Sequence, residues 1–286
     1  MLKKRFYILL FFCLLLGGNV NSSTVDKGDN NAPFENKRTE TDYLPIADPF
    51  VMLYNNKYYA YGTGGTVNEG FACFSSDDLK NWKRERQALS ADDSYGKWGF
   101  WAPEVYYIQS KKKFYMFYSV EEHICVATSD SPVGPFRQES KQPIWEEKSI
   151  DTSLFIDDDG TPYLYFVRFT DGNVIWVAQM TDDLMKIKKE TLSECIKAEE
   201  PWELLQAKVA EGPSLLKKNG VYYLIYSANH YENKGYGVGY ATSDTPMGPW
   251  VKYSKNPLLQ GDAATGLVGT GPVSYTHLRA HETGAY

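Results

Sequence analysis

The chain carries short stretches in which apolar and polar residues alternate over about five positions, with turn residues between them. Such alternation is typical of β-strands that turn one face toward a core. Little helical periodicity is sustained, and residues 192–206 are the one candidate for a helical turn, within a predicted loop. The pattern therefore predicts an all-β fold.

The strands recur in units that follow one plan. Each unit has an acidic residue near the head of its first strand, then a tight turn such as Asp159-Gly160, then two further strands. The acidic residues, spaced about 56, 47 and 60 residues apart, are Asp48, Glu104, Asp151 and Glu211. Spacings of this size are expected for the blades of a β-propeller, each built from four short strands.

These repeats predict a β-propeller over residues 42–271, with four blades and the start of a fifth. The fifth unit opens at residues 266–271, but no hairpin and no aromatic second strand follow it. Residues 272–286 are expected to be a non-native tail of adapter origin, and the propeller is expected to be cut short at this point.

The first residues are predicted to be a cleavable signal peptide, residues 1–22. A basic start is followed by an apolar core at residues 6–16 that is too short for a confident membrane span. Residues 23–41 are polar and rich in Asn, Asp and Lys, which is typical of a disordered leader. We therefore expect a secreted or periplasmic protein with no membrane span in the mature chain.

Composition narrows the class of partner. The net charge is −6 and no basic stripe is present, which argues against nucleic acid. The 22 tyrosines and 7 tryptophans suit both strands and carbohydrate-facing surfaces. Cys73, Cys125 and Cys195 cannot form a closed disulfide framework and lack metal-ligand spacing, so buried free thiols and no metal site are predicted.

The propeller fold predicts where the four acidic residues lie relative to one another. The first strand of each blade lines the central channel, so Asp48, Glu104, Asp151 and Glu211 are predicted to converge at one mouth. Carboxyl groups gathered in this way raise the pKa of at least one member, because like charges at close range cannot all ionise cheaply. Glycoside hydrolysis needs this asymmetry, with one carboxyl protonated and one ionised.

The motifs around these acids also carry a family resemblance. They are Ala47-Asp48-Pro49, Trp101-Ala102-Pro103-Glu104, Ile150-Asp151 and Ala210-Glu211-Gly212-Pro213, joined by the similar segments 131–136 and 245–250. Over about residues 43–271 the chain resembles glycoside hydrolase family 43. The resemblance implies a five-bladed β-propeller that acts on arabinose- or xylose-containing oligo- or polysaccharides.

The resemblance also implies catalytic roles. Asp48 would be the general base that activates water, Glu211 the general acid, and Asp151 the residue that orients the acid and tunes its pKa. The family inverts configuration, which needs the base and acid about 6.5–9.5 Å apart. No cofactor is required for this chemistry. A structural calcium accompanies a histidine after the last glycine-rich opening in the family, but Pro272 follows Gly271 here.

Residues that contact the sugar are predicted less directly. Trp101 would offer a stacking face or wall, with Phe50 and Trp98 as further candidates for the same role. Glu104 would contact either the substrate or a structural hydrogen-bond partner. Arg168 would reach a sugar hydroxyl or the carboxylate of Asp151.

Two classes of function follow. The first is an exported, inverting, exo-acting glycosidase, with α-L-arabinofuranosidase placed ahead of β-xylosidase and endo-arabinanase as a variant. The second is a non-catalytic carbohydrate-binding propeller, which would keep the fold and the aromatic channel without the chemistry. The presence of all three expected carboxyls favours the enzyme.

Overall fold

A computed structural model describes residues 44–64 and 69–261. The predicted signal peptide, leader, fifth unit and tail lie outside these residues. The described residues form four antiparallel sheets, each a meander in which strands adjacent in sequence are hydrogen-bonded. The predicted all-β architecture of successive propeller blades is confirmed.

The four sheets are called blades 1 to 4. Blade 1 comprises β1 (Ile46–Tyr54), β2 (Lys57–Gly64), β3 (Gly70–Ser76) and β4 (Lys83–Ser90). Blade 2 comprises β5 (Trp101–Ile108), β6 (Lys113–Val120) and β7 (His123–Ser129). Blade 3 comprises β8 (Ser149–Ile156), β9 (Pro162–Phe169), β10 (Asn173–Gln179) and β11 (Ser193–Ile196). Blade 4 comprises β12 (Ala210–Lys218), β13 (Val221–Ala228), β14 (Gly237–Ser243) and β15 (Val251–Lys252), with β16 (Leu259–Gln260) also paired to β14.

Short 3-10 turns connect some of these strands, at Ala91–Asp93, Gln109–Lys111, Lys189–Thr191 and Pro201–Glu203. The hairpins use residues that tolerate positive φ, as the sequence predicts. Asn55 and Asn56 have φ of 50° and 59°, and Asn219 and Gly220 have φ of 52° and 79°. Positive φ at both central residues gives the hairpin a twist that matches its strands.

Two apolar clusters of the described residues lie between blades, and a smaller third cluster covers one face of blade 1 alone. Alternate residues of β9 face opposite neighbours: Leu164 and Phe166 join the apolar cluster shared with blades 1 and 2, whereas Tyr165 and Val167 join the cluster shared with blade 4. Because both faces of an inner blade are buried, its strands are apolar on both sides. Cys73, Cys125 and Cys195 are free thiols, as predicted, but only Cys73 and Cys125 are buried and Cys195 is half-buried. Burial raises the pKa of Cys125 to about 12.

A repeated hydrogen bond ties neighbouring blades together. The hydroxyl of Tyr61 in blade 1 donates to the carbonyl of Pro132, and the hydroxyl of Tyr165 in blade 3 donates to the carbonyl of Pro246. Both acceptors lie in the similar segments 131–136 and 245–250. The sequence similarity of those segments therefore corresponds to one structural role, which is to latch a blade onto the preceding blade.

The candidate helical turn within residues 192–206 is present as a single 3-10 turn in the connection between blades 3 and 4. The segment contains strand β11 and the 3-10 turn Pro201–Glu203. The carboxylate of Glu203, fully buried, accepts the backbone N–H groups of Glu199 and Glu200 at 2.7 and 2.8 Å. It also accepts the Tyr226 hydroxyl and the Lys252 ammonium, each at 2.6 Å. This buried carboxylate, which has no periodic signal in the sequence, fixes the segment as a short turn.

Candidate active site

Each innermost strand carries a bulge near its start. The pairing register shifts in β1 between Ala47 and Phe50, in β5 between Trp101 and Glu104, in β8 between Ile150 and Ser153, and in β12 between Glu211 and Ser214. One residue in each bulge has positive φ: Asp48 at 47°, Ala102 at 45°, Asp151 at 55° and Gly212 at 57°. A bulge re-aims side chains that strict alternation would send to one face.

The predicted acidic heads lie at the same end of their strands but at three different positions of the bulge. Asp48 and Asp151 occupy the positive-φ position itself. Glu211 stands one residue before that position, and Glu104 stands two residues after it. Aspartate tolerates the left-handed region better than most residues, and such conformations are concentrated at functional sites.

A cavity of about 300 Å³, including the solvent space at its mouth, lies where these strands meet. Residues of all four innermost strands line it: Asp48, Ala102, Glu104, Asp151, Thr152, Gly212 and Pro213. Three of the four predicted acids therefore contribute directly to one cavity, and the fourth, Glu211, directly precedes the lining residue Gly212.

Asp48 is held by a neutral donor. The hydroxyl of Thr63, on the adjacent strand β2, donates to Oδ2 of Asp48 at 2.7 Å. The oxygen of that hydroxyl in turn accepts the backbone N–H of Ala102 in blade 2 at 2.9 Å. Burial raises the pKa of Asp48, and the hydrogen bond from Thr63 opposes this rise. Asp48 thus has a fixed orientation and a perturbed proton affinity.

Asp151 holds the backbone beside Glu211. Its Oδ2 accepts the N–H of Gly212 at 3.0 Å, and its own N–H donates to Oγ of Ser119 at 3.0 Å. Burial is the main cause that raises the pKa of Asp151 well above its usual value, and the charges of Glu211 and Asp48 add to the rise. Asp151 therefore acts on Glu211 in two ways, through the peptide that follows it and through charge.

Both carboxyl oxygens of Glu211 are engaged. Oε2 accepts from Nδ2 of Asn173 at 2.9 Å, and Oε1 accepts from the hydroxyl of Tyr236 at 2.7 Å. Burial raises the pKa of Glu211, these two hydrogen bonds oppose the rise, and the charge of Asp48 adds to it. Asn173 and Tyr236 were not identified from the sequence. Asn173 is the first residue of β10 and Tyr236 directly precedes β14. Their places next to these strands are the only signal that the sequence offers for them.

Of the two roles predicted for Glu104, the structural hydrogen bond is present, and substrate contact stays a prediction. Its side chain is buried and accepts a hydrogen bond from the hydroxyl of Tyr106, and Glu104 also lines the cavity. The same Tyr106 hydroxyl accepts the backbone N–H of Leu154 at 3.1 Å, which links blades 2 and 3. Glu104 therefore has a structural hydrogen bond and faces the cavity at once.

The aromatic candidates separate clearly. Trp98 is 51% exposed and packs edge-on against half-buried Trp101, with 6.4 Å between ring centroids. Phe50 is only 1% exposed and packs against the ring of Tyr106 at 5.3 Å. A sugar cannot stack on a side chain buried in this way, so the predicted sugar contact of Phe50 is wrong. Phe50 follows the bulge of β1 and faces the core between blades.

Arg168 is predicted to reach a sugar hydroxyl or the carboxylate of Asp151, but the structure pairs it with Glu147 instead of Asp151. Its Nη2 forms an ion pair with Oε2 of Glu147 at 2.6 Å. Its guanidinium lies over the ring of Trp176, 4.6 Å from the centroid, and near that of Trp145 at 5.5 Å. These contacts place Arg168 in a packed cluster at the end of β9.

Within residues 44–64 and 69–261, no cluster of three or more His, Cys, Asp or Glu side chains has a geometry suited to a metal ion. Gly271 and Pro272, on which the calcium expectation rests, lie outside the described residues. No helix in the described ranges has the length and apolar character needed to cross a membrane.

The fold and site together define a class: a β-propeller whose inner strands bring carboxyl groups with raised pKa values to one cavity. Carboxyl pairs of unequal proton affinity are what glycosidases use. The sequence profile described as glycosyl hydrolases family 43 matches residues 44–283, and the chain belongs to this family.

Solved structures agree with this assignment. The chain is 86% identical to a structure described as an endo-1,4-beta-xylanase from Bacteroides thetaiotaomicron, with a TM-score of 0.78 over 83% of this chain and 81% of that one. It is 37% identical to a thermostable family-43 glycoside hydrolase, with a TM-score of 0.72 over 79% of this chain and 77% of that one.

Sequence relatives carry several activities in their names. A beta-D-galactofuranosidase of Aspergillus niger is 28% identical, and the match covers 77% of this chain and 67% of the relative. An arabinoxylan arabinofuranohydrolase of Bacillus subtilis is 29% identical, and that match covers 74% of this chain. The match spans only 50% of this second relative's length. The names therefore agree on glycoside hydrolysis and differ on the sugar.

Proposed function

We propose that the chain is an exported, inverting glycoside hydrolase. It removes terminal α-L-arabinofuranosyl or β-D-xylosyl residues from arabinose- or xylose-containing oligo- or polysaccharides. The observation that carries the proposal is the joint placement of Asp48, Asp151 and the Glu211–Gly212 peptide around one cavity.

The reaction is a single displacement. Asp48 takes a proton from a water molecule whose oxygen forms a bond to the anomeric carbon. The bond between that carbon and the glycosidic oxygen breaks, and its electron pair stays on the oxygen, which receives a proton from Glu211. Attack from the face opposite the leaving group inverts the configuration.

The raised pKa values of the three acids support their proposed part in proton transfer. The pKa of each of the three acids is raised by burial, so the cluster retains at least one proton above the ordinary carboxyl range. Thr63 donates to Asp48 and so fixes the orientation of its carboxyl group. Asn173 and Tyr236 fix the plane of the Glu211 carboxyl, so its proton is delivered in one direction.

Kinetics of two variants tests the proposal. Glu211→Gln in the full chain is expected to lower kcat on natural oligosaccharides by about 10²–10⁴-fold, as loss of a general acid does. Activity on aryl glycosides with good leaving groups is expected to suffer much less, because those groups leave without a proton. Asp48→Asn is expected to lose activity on both substrates. Glu139→Gln, at an exposed position, is the matched control.

Product stereochemistry supplies the sharper test. Nuclear magnetic resonance of the first product is expected to show the inverted anomer. A retained anomer would exclude the single displacement. Unchanged hydrolysis by Glu211→Gln would exclude its role as the acid, and binding without turnover by the wild type would favour the non-catalytic carbohydrate-binding propeller.

An endo-acting enzyme is the second candidate. It is favoured by the 86% identity to a structure described as an endo-1,4-beta-xylanase, and an extracellular endo-arabinanase of Bacillus subtilis is 26% identical. Chromatography of the early products from linear xylan and linear arabinan separates the candidates. An exo-acting enzyme releases only monosaccharide, whereas an endo-acting enzyme releases a series of oligomers.

A further inference from the structure

The loop between β13 and β14, residues 229–236, is anchored at both ends beside the proposed acid. It begins two residues after Ser227, which pairs directly with Glu211 across the sheet. It ends at Tyr236, whose hydroxyl donates to Oε1 of Glu211. The topology therefore places this loop, here called the acid loop, at the end of the cavity where Glu211 lies.

The acid loop has a defined conformation. Asn229, fully buried, accepts the backbone N–H of Gln206 at 2.9 Å, and its own N–H donates to the carbonyl of Val209 at 3.1 Å. The side chain of Asn233 donates to Oε1 of Gln206 at 2.8 Å and accepts the N–H of Gly235 at 2.7 Å. These bonds hold the loop against the segment that precedes β12.

An exposed aromatic pair stands on this loop. Tyr231 is 64% exposed, the highest fraction of any aromatic side chain in the described ranges. Its ring stacks on the ring of His230, with 4.9 Å between centroids and 21° between planes. The backbone N–H of Glu232 donates to Nδ1 of His230 at 3.2 Å and so orients the imidazole. One face of an oriented ring pair is thus presented to solvent.

Such a face is suited to a sugar. The C–H face of a saccharide ring is apolar, and packing it on an aromatic ring removes apolar area from water. His230 also acts on the acid electrostatically, because the Coulombic interaction with His230 lowers the pKa of Glu211. Glu211 donates its proton to the glycosidic oxygen of the leaving saccharide. That saccharide therefore has to lie on the Glu211 side of the cavity.

We infer that Tyr231, stacked on His230, forms the platform for the first sugar of the leaving group. The inference rests on the proposed function and adds to it a residue that determines preference for the leaving group. Trp98 and Trp101 precede Ala102, whose N–H donates to the Thr63 hydroxyl that holds Asp48, so they belong to the base side. The Trp98–Trp101 pair is thus connected through Ala102 and Thr63 to Asp48, whereas the His230–Tyr231 pair stands on the loop whose last residue bonds Glu211.

The test compares substrates that differ only in the leaving group. Wild type, Tyr231→Ala and Tyr231→Phe, each in the full chain, are assayed on 1,4-β-xylotriose and 1,5-α-arabinotriose and on the two matching glycosyl fluorides. Fluoride leaves without touching any platform. Tyr253→Ala is the matched control, because Tyr253 is also exposed and stacked, on Tyr240 at 4.8 Å, but follows the outer strand β15.

Tyr231→Ala is expected to lower kcat/KM on the preferred trisaccharide about fivefold, which corresponds to about 1 kcal/mol, while kcat/KM on the fluoride stays within about twofold. Tyr231→Phe, which keeps the ring, and Tyr253→Ala are expected to match the wild type on both substrates. Thermal unfolding of each variant shows that the fold is intact.

The outcomes also separate this inference from the function on which it rests. An equal loss on trisaccharide and fluoride, or no loss on either, overturns the platform while leaving the hydrolase in place. If the wild type hydrolyses none of the substrates, the proposed function fails, and the platform fails with it.

Discussion

Buried carboxyl groups occur in two regions of this molecule, and their surroundings differ. Glu203, beside blade 4, is fully buried and meets the ammonium of Lys252, a tyrosine hydroxyl and two backbone N–H groups. Asp48, Asp151 and Glu211 meet neutral donors and one another. Removing one partner of a compensated buried pair destabilises a fold, whereas mutually repelling acids with raised pKa values are available for proton transfer.

The largest effect on stability is expected at the compensated site. Glu203→Ala leaves Lys252 without its partner and removes the acceptor of two backbone N–H groups. Breaking a buried ion pair in this way costs about 3–5 kcal/mol. Urea unfolding measures the loss, and kcat per folded molecule is expected to stay unchanged. A variant as stable as the wild type would show that the contacts of the Glu203 carboxylate do not stabilise the fold.

The next effect concerns pH and Asp151. Below the ordinary carboxyl pKa of about 4, both folded and unfolded chains carry this proton. Above it the unfolded chain releases the proton while the folded chain keeps it, so stability falls as pH rises toward the raised folded pKa. Asp151→Asn, which cannot titrate, is expected to flatten this fall in urea unfolding between pH 4 and pH 8.

The control for that experiment is Asp182→Asn, at an exposed position. It is expected to leave the pH dependence of the wild type intact. An unchanged slope in Asp151→Asn would show that Asp151 titrates normally, and the contrast between the two carboxyl regions would then lose its main support.

A smaller effect, on the pH–rate profile and on stability, is expected from substitution of Thr63, whose hydroxyl joins Asp48 to blade 2. Thr63→Val removes the donor to Asp48, so the pKa of Asp48 rises further and the acidic limb of the pH–rate profile moves to higher pH. The Ala102 N–H also loses its acceptor, which costs about 1–3 kcal/mol. Thr63→Ser keeps the hydroxyl and is expected to restore the profile. A profile that does not move would argue against Asp48 as the base.

The smallest effect is expected at the latch between blades 1 and 2. Tyr61→Phe removes the hydrogen bond to the carbonyl of Pro132 and is expected to cost about 1 kcal/mol. Because the latch lies outside the carboxyl cavity, kcat/KM is expected to stay constant. Tyr165→Phe, at the equivalent position of blade 3, is expected to match it in thermal unfolding. A change in kcat/KM would show that the latch also positions the site.

The sequence predicts the blades because period-two alternation and hairpin turns are local signals. It also places the acids at one end of their strands, since repeats superimpose by symmetry. It does not predict the bulges, where two residues oppose one. That displacement explains why Phe50 faces the core, and why Glu211 and Glu104 stand before and after the position that Asp48 and Asp151 occupy.

Hydrogen-bond and packing partners of the site residues that lie far apart along the chain are also not predicted from the sequence. Asn173 and Tyr236 contact Glu211 from a different blade and from a loop, and neither belongs to a motif. Arg168 was expected near Asp151 from its place after a strand, but two indole rings and Glu147 provide closer partners. Such contacts depend on packing between blades, which alternation along one strand does not encode.

The kink shared by the four innermost strands has an evolutionary consequence. One backbone conformation accommodates aspartate in two blades, alanine in another and glycine in the last. Each copy of the repeat can therefore exchange its reactive group without any change in chain path. New specificities can therefore arise by point substitution at this position while the described blades keep their chain path.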